Sequence, residues 1–237
     1  MRRFINCVMF AVGTCMMMAT PSQAAIMNYG DFSGATVDFI DVTEDNLGPD
    51  LLYDVTGTVG DILLIDPDGF GAQKNPGPGA GFIDSELEMM ITAKPGHSVD
   101  QITFSEEGDY SIVGTGNVEA AVSFFWQITE VDGAAIEPVS GNGTAGFSAN
   151  SPITGGLWDI DFTVDLNNSL AEAGVDGTIT KAIFRFDNSL TATAADASSI
   201  AFIKKKQIGG VKVMVPEPST MLTLLMGLIG LFGCRRR

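Results

Sequence analysis

The stretch 158–165, Trp-Asp-Ile-Asp-Phe-Thr-Val-Asp, carries an apolar residue at every even position and a polar one at every odd position. Strict period two sends alternate side chains to opposite faces of a β-strand, one face buried and the other wet, and is incompatible with the helical period. The same alternation places Val122, Phe124, Trp126 and Ile128 on one side of 122–128, and Leu87, Met89 and Ile91 on one side of 86–92. Shorter strand candidates lie at 36–42, 52–59, 62–65, 99–104, 110–113, 144–147, 183–186, 199–203 and 211–215, with Gly- and Asp-rich turns between them. Only 169–173 reads as helix, so the crossovers that parallel strands require are missing. The expected fold is all-β: an antiparallel, jelly-roll-like β-sandwich with Trp126 and Trp158 in its core. The segment 70–81, with Asn75-Pro76-Gly77-Pro78-Gly79 inside it, is expected to be a long exposed loop, because prolines cannot donate to a central ladder.

The two ends differ from this pattern. Arg2 and Arg3 precede a predominantly apolar stretch, 4–19, and Ser22-Gln23-Ala24 supplies small residues at a cleavage site, so 1–24 reads as a signal peptide and the mature chain is expected to start at Ala25. At the other end, Pro216-Glu217-Pro218 precedes an apolar run, 221–234, and the basic cluster Arg235-Arg236-Arg237. The prolines delay helix formation until after residue 218, Ser219 or Thr220 is placed to cap a single hydrophobic helix, and the arginines favour the cytoplasmic side. The apolar run is fourteen residues long, against about 20 for a comfortable span, which suits a temporary anchor better than a permanent one.

The ordered triplet of Pro-Glu-Pro, apolar helix and terminal arginines resembles the PEP-CTERM sorting signal of Gram-negative envelope proteins. The resemblance covers 216–237 and implies that Pro216, Glu217 and Pro218 are recognised by a membrane-embedded exosortase, which removes the helix. It further implies an exported protein that passes through the inner membrane and ends at the outer surface or in the extracellular matrix, associated with exopolysaccharide or biofilm. Three parts are expected: signal peptide 1–24, β-sandwich 25–215 and sorting signal 216–237.

Charge and residue chemistry narrow what the sandwich does. Of 13 basic residues, five (Arg2, Arg3, Arg235, Arg236 and Arg237) lie in the terminal segments, as does one of 29 acids (Glu217), leaving the central region at −20. Such a surface repels the phosphate backbone, so nucleic acid is not an expected partner. All three cysteines, Cys7, Cys15 and Cys234, fall in the terminal segments, so the central region has neither disulfide nor thiolate metal site. The single histidine, His97, sits in a turn-like Lys-Pro-Gly-His-Ser sequence, and Asp159, Asp161 and Asp165 occupy the wet face of a strand. No nucleophile–base pair or acid pair is singled out, so the chain is expected not to be an enzyme. Asp66-Pro67-Asp68-Gly69 places two oxygen donors two residues apart, making Asp66 and Asp68 the candidate calcium ligands of an alternative, a carbohydrate-binding lectin-like module. A secreted hydrolase is the third reading. Lys204-Lys205-Lys206 is expected to be a solvated edge that discourages strand pairing.

Overall fold

The computed structural model describes residues 25–46, 51–206 and 210–216. It is an antiparallel β-sandwich, as the alternation predicts. The chain runs β1 (Ala25–Ser33), β2 (Val37–Asn46), β3 (Tyr53–Val59), β4 (Ile62–Pro67), β5 (Gly71–Lys74), β6 (Gly79–Ala93), β7 (Gln101–Val113), β8 (Gly116–Val131), β9 (Ala134–Ala149), β10 (Ile153–Asp165), α1 (Leu166–Glu172), β11 (Ile179–Ala194), β12 (Ile200–Lys205) and β13 (Val211–Met214). One sheet has the order β1-β2-β6-β11-β8-β9; the other runs β3-β4-β13-β7-β12-β5, with β10 also paired to β7.

Hairpins account for much of this order. Asp132 and Gly133 link β8 to β9 with φ of 51° and 75°, two left-handed residues whose twist matches antiparallel strands. Apolar residues on the inner faces then interdigitate: Phe104 lies 5.0 Å from Phe162 and 4.8 Å from Phe186, and Phe162 stacks on Phe124 at 4.0 Å. The Phe104–Phe186 contact joins β7 to β11 across the sandwich. Trp158, Ile160 and Val164 are buried, and Trp126 is half-buried against the same core.

Three elements differ from the sequence reading. The segment 70–81 is not one loop: β5 pairs with β12 along an edge, Gly79 to Gly81 already belong to β6, and only 75–78 remain irregular between them. Both prolines fall in that short connection, so neither interrupts a ladder. The candidates at 99–104 and 110–113 are one strand, β7, whose polar middle is carried through the sheet. Finally, β12 and β13 pair end to end with the same edge of β7: Lys205 opposes Gly108, Lys206 N–H donates to Glu107 O at 2.9 Å, Glu107 N–H donates to Gly210 O at 3.0 Å, and Val211 opposes Glu106.

Candidate functional site

The sorting segment departs from the sandwich without a spacer. β13 ends at Met214, Val215 N–H donates to Asp61 O at 3.0 Å, and half-buried Pro216 follows. Asp61 fixes this exit. Its carboxylate accepts from Thr36 N–H at 2.7 Å, the Thr36 hydroxyl at 2.7 Å and Val37 N–H at 3.2 Å. Burial opposes its ionisation, but the Thr36 hydroxyl and the N–H groups of Thr36, Val37 and Ala35 hold the carboxyl below its ordinary value. Glu217, Pro218, the apolar run and the arginines lie outside the described residues, as does the segment 1–24 that is expected to be a signal peptide. Among the described residues no helix is long and apolar enough to cross a membrane.

A groove of about 510 Å³ opens between the 67–73 segment and β12. Phe70 and Phe202 supply its apolar walls, with Gln73, Asp109, Lys204 and Lys206 as polar groups. Lys204 Nζ stands 5.9 Å from the Phe202 ring and 3.6 Å from Asp109 Oδ2, and Lys206 pairs with Glu107 at 2.9 Å. Of the two rings Phe70 is buried and Phe202 is half-exposed, so the groove offers one accessible aromatic surface beside amide, carboxylate and ammonium groups. Asp66 and Asp68 flank this region, but they do not share one turn. Asp66 belongs to β4, opposite Asp54, while exposed Asp68 follows the strand with its N–H on Leu52 O at 2.9 Å. Among the described residues no group of three or more Asp, Glu, His or Cys side chains is arranged to hold a metal ion.

The outer face of the other sheet carries an acidic row. Asp45 opposes Glu86 and Glu86 opposes Asp187, with Asp84 alongside. Burial, then hydrogen bonding to Asp187 and the charges of Asp187 and Glu86, pushes the Asp84 carboxyl up to about 6. Burial also raises Glu86, with Arg185, 3.5 Å away, opposing it. Next to this row, Arg185 lies 5.3 Å from the Phe125 ring.

Two buried polar clusters lie between the sheets, and neither was evident in the sequence. Glu44 takes the Ser85 hydroxyl at 2.7 Å, the Leu52 N–H at 2.8 Å and the Tyr53 N–H at 3.3 Å, and the Tyr29 hydroxyl lies 2.6 Å from it. The second cluster overturns the solvated-edge reading of the lysine run. Lys204 is exposed, but Lys205 is 3% exposed and pairs with Glu106, itself 1% exposed. Lys205 Nζ lies 4.8 Å from the Phe70 ring and 5.7 Å from the Trp158 ring. Gly108 permits this cover, because a Cβ there would stand 2.4 Å from the Trp158 ring. Alternation along β12 explains the inversion: Ala201, Ile203 and Lys205 share the inner face. His97 is exposed in its turn, and Asp159, Asp161 and Asp165 lie on the solvent face.

With the sandwich and its tail junction in place, the C-terminal segment can be assigned. Residues 215–237 match the family model for the PEP-CTERM protein-sorting motif, so this chain carries a PEP-CTERM sorting motif at those residues. The motif implies export, transient membrane anchoring and processing by an exosortase-type enzyme. No curated protein matches the chain. Among solved structures, TmCBM61 in complex with β-1,4-galactotriose is 10% identical, with 69% of this chain and 88% of that one covered and a TM-score of 0.21. A putative sugar binding protein from Bacteroides thetaiotaomicron is 12% identical, with 84% and 90% covered and a TM-score of 0.23. Infectious bursal disease virus Gt strain gives 13% identity, 75% and 52% coverage and a TM-score of 0.24. Likeness at this level supports neither a shared function nor a shared ligand.

Proposed function

We propose that this chain is a non-enzymatic structural component of the envelope or extracellular matrix of a Gram-negative bacterium. It is exported with loss of 1–24, held briefly in the inner membrane by 216–237, and left at the outer surface or in the matrix, among exopolysaccharide, once the tail is cut. One observation carries this reading: the sorting motif begins where the last described strand ends, so its removal deletes none of the described strands. Pro216 and Pro218 disfavour helix, which suits recognition of the motif as an extended peptide. The test is intact mass of the protein recovered from its final location in a host that has the processing enzyme. Wild type is expected to begin at Ala25 and to lack the apolar run, whereas Pro216→Ala/Pro218→Ala remains membrane-bound and ends at Arg237. Wild-type protein that still ends at Arg237 sinks the proposal.

A second reading, a carbohydrate-binding module, draws support from the groove at Phe202. In it Phe202 stacks on a sugar, Gln73, Asp109 and Lys204 bond its hydroxyls, and Asp66 and Asp68 contribute to a calcium site. Titration of the purified exopolysaccharide into wild type and Phe202→Ala, with and without EDTA, is the check. Equal heats for the two proteins rule out the groove, and indifference to EDTA removes calcium from the reading.

A further inference from the structure

Lys205, Glu106 and Asn188 occupy one buried pocket between the sheets, with exposures of 3%, 1% and 0%. They come from three strands: β12, β7 and β11. Their approach follows from register. The Phe104 and Phe186 rings meet at 4.8 Å across the sandwich, and the next inward residues on these two strands are Glu106 and Asn188. Lys205 reaches Glu106 from the neighbouring strand, where it opposes Gly108. The Asn188 Nδ2 donates to the Tyr53 hydroxyl at 2.9 Å, and the amide stands near enough to Glu106 to act on its titration by hydrogen bonding. Phe70, Trp158 and Tyr53 enclose the group, and the Trp158 Nε1 is tied to Lys204 O at 3.2 Å.

This is an unusual way to satisfy a core. A buried ion pair is stabilising only when its remaining hydrogen-bonding capacity is met, yet Glu106 Oε1 and Asn188 Oδ1 have no hydrogen-bond partner. An amine, a carboxyl group and a carboxamide are thus held together in the buried core, with two acceptors unused. We propose that Lys205 and Asn188 form an intramolecular amide cross-link, with Glu106 as the proton relay.

The step needs no cofactor or oxidant. The neutral Lys205 Nζ attacks Asn188 Cγ and forms the new N–C bond, while the Glu106 carboxyl group hydrogen-bonds the Asn188 carbonyl oxygen as negative charge develops there. Glu106 takes a proton from Nζ and passes one to Nδ2. The Cγ–Nδ2 bond then breaks, ammonia leaves, and Glu106 ends in its starting protonation state. The pocket favours the reactive forms: burial pulls the lysine ammonium below its ordinary pKa and pushes the carboxyl above its own, each against the pull of the opposite charge. The bridge would join the two sheets by tying β12 to β11. A region whose cysteines all lie in the terminal segments has no disulfide for that task. The proposal is independent of what the sandwich binds.

Tryptic mapping of the denatured full chain tests it directly. An acylated Lys205 resists trypsin, so the expected product is a branched peptide in which 186–204 is joined through Asn188 to 205–206, lighter than the two linear peptides by one ammonia. Glu106→Ala, which keeps both reacting side chains, is expected to give the linear peptides. Asn188→Asp should yield the same branched peptide with water leaving instead. Linear peptides from wild type, with cleavage after Lys205, overturn the proposal, as does a branch at Glu106 instead of Asn188. The wild-type map decides even if a variant fails to fold, and cross-linking that persists in Glu106→Ala removes the relay role.

Discussion

Trp158→Ala should be among the most damaging single truncations in the sandwich. The indole is 2% exposed, covers the Lys205–Glu106 pair and donates from Nε1 to Lys204 O at 3.2 Å. A buried tryptophan removes roughly 150–250 Å² from water, which at about 25 cal/mol per Å² corresponds to ~4–6 kcal/mol of transfer free energy. That figure is an upper bound, since the unfolded chain already shields part of the ring, and measured truncations of large aromatic residues cost about 3–5 kcal/mol. Losing the indole hydrogen bond adds about 1 kcal/mol, partly recovered when water reaches Lys204 O beside the open groove. The expected loss is ~4 kcal/mol, read from urea unfolding followed by circular dichroism, with the slope of the transition unchanged. Trp126→Ala is the internal control. Trp126 is only half-buried, so its loss should be about half as large, ~2 kcal/mol. A Trp158→Ala loss below about 1 kcal/mol, or a larger loss at Trp126, would refute the assignment of Trp158 to the core.

Glu44→Ala leaves the Leu52 and Tyr53 N–H groups and the Ser85 hydroxyl short of an acceptor, while the Tyr29 hydroxyl keeps Tyr53 O; the expected cost is about 3–5 kcal/mol by the same urea assay. Glu44→Gln, which keeps one acceptor oxygen, should lose clearly less, and equal losses would show that the carboxylate is not the hub of that cluster. Asp84→Asn should stabilise the protein at neutral pH. The folded state raises the Asp84 carboxyl from 3.8 to about 6, so it holds the proton more tightly than the unfolded chain, and the wild-type penalty is full above the folded value. The advantage of the variant in urea midpoint should therefore shrink as pH falls from about 6 and vanish below 3.8. An advantage that grows on acidification would reverse the sign of the argument.

Much of the fold was legible because a sheet with one wet face writes its period into the chain. Trp158, Ile160, Phe162 and Val164 are apolar at every second position, and the structure turns those positions inward. The tail was legible for a different reason: the sorting motif is read by another molecule as a linear peptide, so its order in the sequence is its information. The groove was only half legible. The sequence marks Asp66-Pro67-Asp68-Gly69 on one side of it, but Phe202, Asp109 and Lys204 lie far from that segment in sequence and meet it only through the pairing of β5 with β12.

What the sequence determined by itself, then, was the set of local properties: strand period, turn chemistry, the charge of the central region, the confinement of cysteine to the ends and the sorting address. Tertiary structure alone decided which polar residues became core. Lys205 looks like its exposed neighbour Lys204, and Glu106 like Glu107, because burial of a charge is not a property of the residue. It follows from the register of β12 against β7 and from the Phe104–Phe186 contact that brings Asn188 opposite Glu106. Those are long-range pairings, and their free energy comes from neighbours that the linear chain does not place together.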